Sequence, residues 1–357
     1  MRARRLTPSD LATLPPDQLA GAVLLAAVRL PGGPLRKGTR LDAASIGRLL
    51  AAARAGELGE PVRVAGLEQG DLHEDEAAER LAHAVAGAGL RAEPARQSRL
   101  DLTARWDGVV HVRVGELTRL NTLDALEVFT LYHGQAVAAG ETVASVKVAP
   151  HVIAGTVVKA GEVIARESAP LVDVRPYLSL DVGAIAEEAL SPEALERFEA
   201  GARRKVEALG SRFAGTTSVG DRDPAAAERG ARDALVGAVR ERGLRVVLVG
   251  GVSAGDPLSP FFSALESLGG RLLRRGVPAH PGSMIWLAEL EGSRLLGLPQ
   301  CGMFTMATAA DLILPRLLTG EALTAADLAD LAHGGVLGRA MRFRFPAYAR
   351  DLEAPEG

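Results

Sequence analysis

The stretch LRVVLVGG, residues 244–251, constrains the fold more than any other part of the chain. Val246 to Val249 form an unbroken apolar run, and Gly250-Gly251 close it. A short strand that is apolar on both sides must be covered on both faces, which is the situation in a parallel sheet packed between helices. The flanking segments alternate to match. LVDVRPYLSLDVG reads as a strand. SPEALERFEAGARRKVEALG reads as a helix capped by Ser191, with Pro192 at its first position and Gly210 at its end. RFAGTTSV is a second strand, and a helix then starts at Asp223-Pro224. Beyond the opening run, DPLSPFFSALESLGG reads as a helix with Asp256 at its start. RLLRRGV, SMIWLAEL and SRLLGLP read as strands, and TMATAADLILPRLLTG as a helix. Strands alternating with helices predict an α/β domain with a mostly parallel, doubly wound sheet over residues 173–340, leaving 341–357 as a tail.

A chain of 357 residues has room for two domains of ordinary size. Residues 1–172 have a different texture, that of a mixed α+β, β-rich region. LLAAVRLPGGPLRKGTRL suggests two strands around a Pro-Gly-Gly turn, and PVRVAGL a further strand. DAASIGRLLAAARAG suggests a helix capped by Asp42 and closed by Gly56. In GDLHEDEAAERLAHAVAGAGL, acids fill the first turn of a helix that places Leu81 and Val85 on one apolar stripe. The HEDE run is read as a solvated helix start, because a metal site would need a second set of ligands. From about 100 to 170 the pattern is strand-like, HVIAGTVVKAGEVIA included, and only LNTLDALEVFTLY suggests a helix.

Composition narrows the function classes. Lys and Arg total 41 against 44 Asp and Glu, and aromatic residues are 4% of the chain, so neither a basic surface nor stacking platforms point to nucleic acid. The apolar stretch LAGAVLLAAVRL is about 12 residues long, short of the roughly 20 that a membrane-spanning helix requires. A single cysteine, Cys301, fits a reducing cytoplasm. The histidines lack the close spacing of zinc ligands.

Three loops contain glycine: GGVSAGD at 250–256, where a strand ends and a helix begins, HPGSM at 280–284, before a strand, and GLPQCGMFT at 297–305, between a strand and a helix. Backbone N–H groups freed by glycine, next to helix N-termini, suit an anionic ligand. The spacing matches neither a dinucleotide fingerprint nor a Walker loop. In order and spacing, the loops resemble the molybdopterin-binding domain shared by molybdopterin adenylyltransferase and molybdopterin molybdenumtransferase. That family reads approximately T-T-G-G-x-S-x-G-x-x-D, K-P-G-K-P and G-L-P-G-N-P. The resemblance spans residues 175–335 and is most specific over 244–318. The N-terminal half is similar to the leading region of molybdopterin-binding proteins that in some relatives continue into a cytidylyltransferase-like domain; transfer to cytidine would then call on another polypeptide.

The resemblance implies a three-layer α/β/α domain that binds molybdopterin or the molybdenum cofactor, with Mg2+ and ATP if it is catalytic. It also implies a homo-oligomer whose partners are cofactor-biosynthesis proteins or molybdoenzymes. Its ligand-binding positions map to Gly250, Gly251, Val252, Ser253, Gly255 and Asp256; to His280, Pro281, Gly282 and Ser283; and to Gly297, Leu298, Pro299, Gln300, Cys301 and Gly302. Asp256 is the candidate Mg2+ ligand and catalytic residue, with a helix cap as the competing role. Ser253 bonds either the ligand or its own turn. His280 is either a phosphate donor or an exposed loop residue, and Cys301 either meets the dithiolene or is a small buried side chain. The sequence departs from the family at Leu248-Val249, which replace two threonines, and at His280 and Ser283, which replace two lysines that would clamp phosphoryl oxygens. Gln300-Cys301-Gly302 replaces Gly-Asn-Pro. A backbone cradle without its charges favours holding a ligand over transferring a group. An active adenylyl- or molybdenumtransferase is the alternative.

Overall fold

A computed structural model describes residues 1–95, 98–167, 170–188, 190–221, 223–304 and 306–352. The chain forms two compact units. The first comprises residues 1–105, 111–133 and 139–174; the second comprises 106–110, 134–138 and 175–357. Among the described residues, no helix is long and apolar enough to cross a membrane.

In the first unit, strands Arg2–Leu6, Val62–Gly66 and Val23–Leu24 form an antiparallel sheet beside the helix Ala43–Arg54, whose N-cap Asp42 accepts from the Ser45 N–H. The Pro-Gly-Gly segment is less regular than two strands, since its arms meet only at isolated bridges such as Val28 with Leu35. A second antiparallel sheet runs in the order Leu90–Ala92, Arg99–Ala104, Thr142–Val148, Leu126–Thr130. Two expectations for this region are corrected. Residues Gly155–Glu167 form a helix rather than a strand: helical spacing gathers Val158, Gly161, Glu162, Ile164 and Ala165 onto a buried face, which outweighs the β preference of the valines. The helix expected in LNTLDALEVFTLY lies earlier, at Val114–Leu120, and Leu126–Thr130 is a strand with Leu126 and Val128 buried.

The acidic helix Glu74–Val85 has only part of the solvated start expected, with Glu76 exposed. Glu74 is buried, and its Oε2 lies 2.6 Å from His151 Nδ1, while Asp75 accepts the Ser98 N–H. These acids bind neighbouring segments into the unit.

In the second unit the main sheet and the longer helices around it are β1 (Asp181–Ala186), α1 (Pro192–Glu207), β2 (Arg212–Ser218), α2 (Pro224–Val236), β3 (Val246–Gly250), α3 (Pro260–Ser267), β4 (Arg271–Arg275), β5 (Trp286–Leu290), β6 (Ser293–Gly297) and α4 (Ala310–Leu318). They build one six-stranded sheet in the order β2-β1-β3-β6-β5-β4. β1 pairs in parallel with β2 and β3, and β3 with β6. β5 is antiparallel to both of its neighbours. Alternation along β3 sends Val246 and Leu248 into one apolar cluster with α1 and α4, and Val247 and Val249 into another with α2 and α3. The double-sided burial inferred from the apolar run is thus realised. Two early segments join this unit: Val109 pairs with Ala136, and Gln135 donates from Nε2 to the Phe343 carbonyl at 3.3 Å. Residues expected as a tail contribute Phe345, Ala349 and Leu352 to the first of these clusters.

One polar group lies deep in that cluster. Lys205 of α1 and Asp311 in the first turn of α4 are 1% and 0% exposed, with Nζ and Oδ1 2.5 Å apart. The Tyr348 hydroxyl donates to the same oxygen at 2.9 Å, and the Thr308 N–H donates to Oδ2 at 2.8 Å. Burial, then the Asp311 charge beside it, pushes the Tyr348 hydroxyl well above its ordinary range, so it stays a donor. Breaking such a pair strands a charge in an apolar core. Asp311→Ala is expected to cost about 3–5 kcal/mol, and the double change Lys205→Met with Asp311→Leu less. Urea denaturation followed by tryptophan fluorescence measures this, since Trp106 and Trp286 both belong to this unit.

Candidate functional site

Strand register builds the site. Ala186 pairs with Gly250, and Val249 with Gly297, so β1, β3 and β6 end side by side at one edge of the sheet. Bonds continue past the last paired residues: Glu187 N–H donates to the Gly250 carbonyl at 2.9 Å, and Leu298 N–H to the Val249 carbonyl at 2.8 Å. The segments leaving these strands therefore emerge together, where ligands bind in open α/β sheets.

The 250–256 loop turns sharply at Gly251. Its φ of +86° is a left-handed conformation, and a Cβ there would stand 2.7 Å from the Glu188 nitrogen. The loop is fastened from behind by Trp286, whose Nε1 donates to the Val252 carbonyl at 3.0 Å. That indole also takes the space beside Gly297, where a Cβ would come within 2.1 Å of it. Ser253 Oγ accepts the Gly255 N–H at 3.2 Å, and Asp256 Oδ1 accepts the Leu258 N–H at 2.9 Å. The helix expected to start at Asp256 starts at Pro260, with Ser259 at its N-cap. Asp256 closes a turn three residues upstream of that cap.

The 280–284 loop is held on both sides. His280 N–H donates to the Gly335 carbonyl, and Leu337 N–H to the His280 carbonyl, both at 2.7 Å; the Pro281 carbonyl accepts the Ala309 N–H at 2.9 Å. The third loop forms a 3-10 turn over Gln300–Met303, in which the Pro299 carbonyl accepts from Gly302 and Met303. The buried Lys205–Asp311 pair fixes the far end of this loop through the Thr308 N–H.

Together the loops line a cavity of about 530 Å3. Gly251, Val252 and Ser253 come from the first, His280, Gly282 and Ser283 from the second, and Leu298, Pro299 and Gln300 from the third. Val252, Leu298 and Pro299 are buried, whereas Ser253, His280, Ser283 and Gln300 are exposed, giving an apolar floor with a polar rim. The other positions taken from the resemblance lie outside this lining. Gly250, Pro281, Gly297 and Gly302 are buried in the supporting structure, and Gly255 and Asp256 are exposed beside the cavity. The Cys301 side chain and Thr305 fall outside the described residues.

Three lining residues, Glu188, Met284 and Met303, were not singled out by the sequence. The two methionines sit inside the glycine loops already quoted. Glu188 had a weaker signal: an apolar strand, VGAIA, that ends on two acids. Among the described residues, the lining contains no lysine or arginine. Burial pushes the neighbouring Glu187 carboxyl above its ordinary range, and the Glu188 and Asp256 charges push it the same way.

Two outcomes are expected. A group whose pKa is raised on folding adds stability below its unfolded pKa and loses it as pH rises through the folded value. Glu187→Gln should therefore be more stable than the parent at about pH 7, with the difference closing toward about pH 4, as read by urea denaturation across that range. Gly251→Ala should lose about 1–2 kcal/mol by the same measurement, because alanine must adopt the left-handed conformation and also displace Glu188.

No family model matches the chain, and no curated protein matches it. Among solved structures, the chain is similar to the molybdopterin biosynthesis moea protein from Pyrococcus horikosii. The two are 14% identical, covering 70% of this chain and 79% of that one, with a TM-score of 0.28. It is also similar to the molybdopterin biosynthesis enzyme MoaB from Thermus thermophilus, at 18% identity over 40% of this chain and 98% of that one, with a TM-score of 0.27. At these TM-scores neither similarity carries weight for the fold or the site.

Proposed function

We propose that the second unit is a three-layer α/β/α domain that binds molybdopterin or the molybdenum cofactor and serves in the biosynthesis or handling of that cofactor. One observation carries this reading: three glycine loops, in the order and spacing that the sequence resemblance requires, converge on one cavity, two of them leaving the parallel strands β3 and β6 and the other entering the antiparallel β5 at the same edge of the sheet. A volume of about 530 Å3 falls within the range of small-molecule sites, and the apolar floor suits a flat heterocycle.

Fit to the phosphate end of the ligand is narrower. It relies on backbone N–H groups and the rim side chains Ser253, His280 and Ser283, since the described lining holds no fixed cation. Adenylyl transfer would also need Mg2+ beside the phosphates, and Asp256, the residue that the resemblance assigns to it, lies outside the cavity lining and accepts a backbone N–H in its own turn. These features favour holding the ligand without ATP turnover.

Calorimetric titration of the purified chain with molybdopterin, with and without ATP and Mg2+, is expected to show binding that neither addition changes. Ser253→Ala and His280→Ala should each weaken it about 5- to 10-fold, the loss of one hydrogen bond. Absence of binding at micromolar concentrations would refute the proposal. Adenylylation of molybdopterin at an ordinary enzyme rate would refute its non-catalytic half.

A further inference from the structure

The Glu188 carboxylate is half-buried, lines the cavity, and makes no hydrogen bond or ion pair among the described residues. Its backbone runs close to the first loop, since a Cβ at Gly251 would stand 2.7 Å from its nitrogen, and its carbonyl accepts the Leu190 N–H at 2.9 Å. No lysine or arginine in the described lining offsets its charge. The buried Lys205 is committed to Asp311, and Arg275, which reaches the first loop, donates to the Ala254 carbonyl and lies over the Phe262 ring. A ligand that enters the cavity covers this carboxylate further. It is bound only if it supplies N–H donors, because a carboxylate stripped of water without a partner is costly.

We infer that Glu188 sets ligand specificity by accepting two adjacent N–H groups from a 2-amino-4-oxopyrimidine ring, the edge common to pterins and guanine, so that the ring end enters the cavity first. The inference rests on the ligand-binding reading above and adds an orientation to it. Within the ring plane, the N3–H and the exocyclic amino group are parallel donors, and a carboxylate accepts both, as it does from a guanidinium. The buried Val252, Leu298 and Met303 offer apolar surface to the faces of the ring, and the polar rim is left for whatever substituent the ring carries. The acids around the site oppose entry of a phosphate: Glu188 itself, with Glu187 and Asp256 within electrostatic reach. The anionic end of a phosphorylated ligand is thereby directed outward.

The test uses rings without phosphate, titrated into the full chain and into Glu188→Gln, with melting temperature as the check on folding. Pterin is compared with lumazine, in which an oxygen replaces the amino group and faces the carboxylate as a second acceptor. Guanosine is compared with xanthosine on the same principle. The parent is expected to prefer pterin over lumazine about 10- to 100-fold, and Glu188→Gln to abolish most of that preference. Equal binding of pterin and lumazine by the parent would overturn the inference while leaving pterin binding intact. So would a preference that survives in Glu188→Gln, or binding that disappears when EDTA removes divalent ions. Guanosine discriminated from xanthosine through Glu188, with no pterin bound, would uphold the ring-edge contact and overturn molybdopterin as the ligand. If none of the four rings binds while molybdopterin does, the inference falls and the ligand-binding reading stands; if molybdopterin also fails to bind, both fall.

Discussion

Gly250 stands beside Ala186, and Gly297 beside Val249, because backbone hydrogen bonds lock β1, β3 and β6 into one parallel register. The first and third loops of the candidate site leave the sheet where that alignment puts them. Side chains alternate across the strands, so a shift of one residue would turn Leu248 and Val249 into each other's clusters and move every loop along the edge. Burial on both faces makes such a shift prohibitive. The position of the loops is therefore set by the core, and their own sequences are left to determine what they bind.

Two anchors transmit the order of the core outward. Trp286 belongs to the cluster containing α2 and α3 and holds the first loop through the Val252 carbonyl. The Lys205–Asp311 pair lies in the other cluster and holds the end of the third loop through Thr308. The loops are thus tethered from opposite sides of the sheet. An ion pair so deep contributes little net stability over apolar packing, but it demands one geometry, because an ammonium and a carboxylate separated by even a small slip would each lack a partner.

The apolar run 246–249 made the sheet legible, and Ser191-Pro192 and Asp223-Pro224 made two helix starts legible, since each is a local signal with a local cause. The glycine loops were legible as a set because their spacing carries information that no single turn does. Failures came where tertiary packing decided. Val157 and Val158 favour a strand by themselves, yet Gly155–Glu167 is a helix because its buried stripe has helical period. Glu74 looks like a solvated acid until His151, far along the chain, arrives beside it. Glu188 was missed for a related reason: its place in the cavity depends on the turn at Gly251, which is not adjacent to it in sequence.

The second unit is discontinuous, and this bears on how such a protein can change over time. Residues 106–110 and 134–138 are threaded into it from the middle of the first unit's sequence. A genetic exchange at residue 174 would transplant the sheet and all three loops, yet leave behind the strand pair around Val109 and Ala136 and the side chain that reaches Phe343. The junction therefore offers no clean point for recombination.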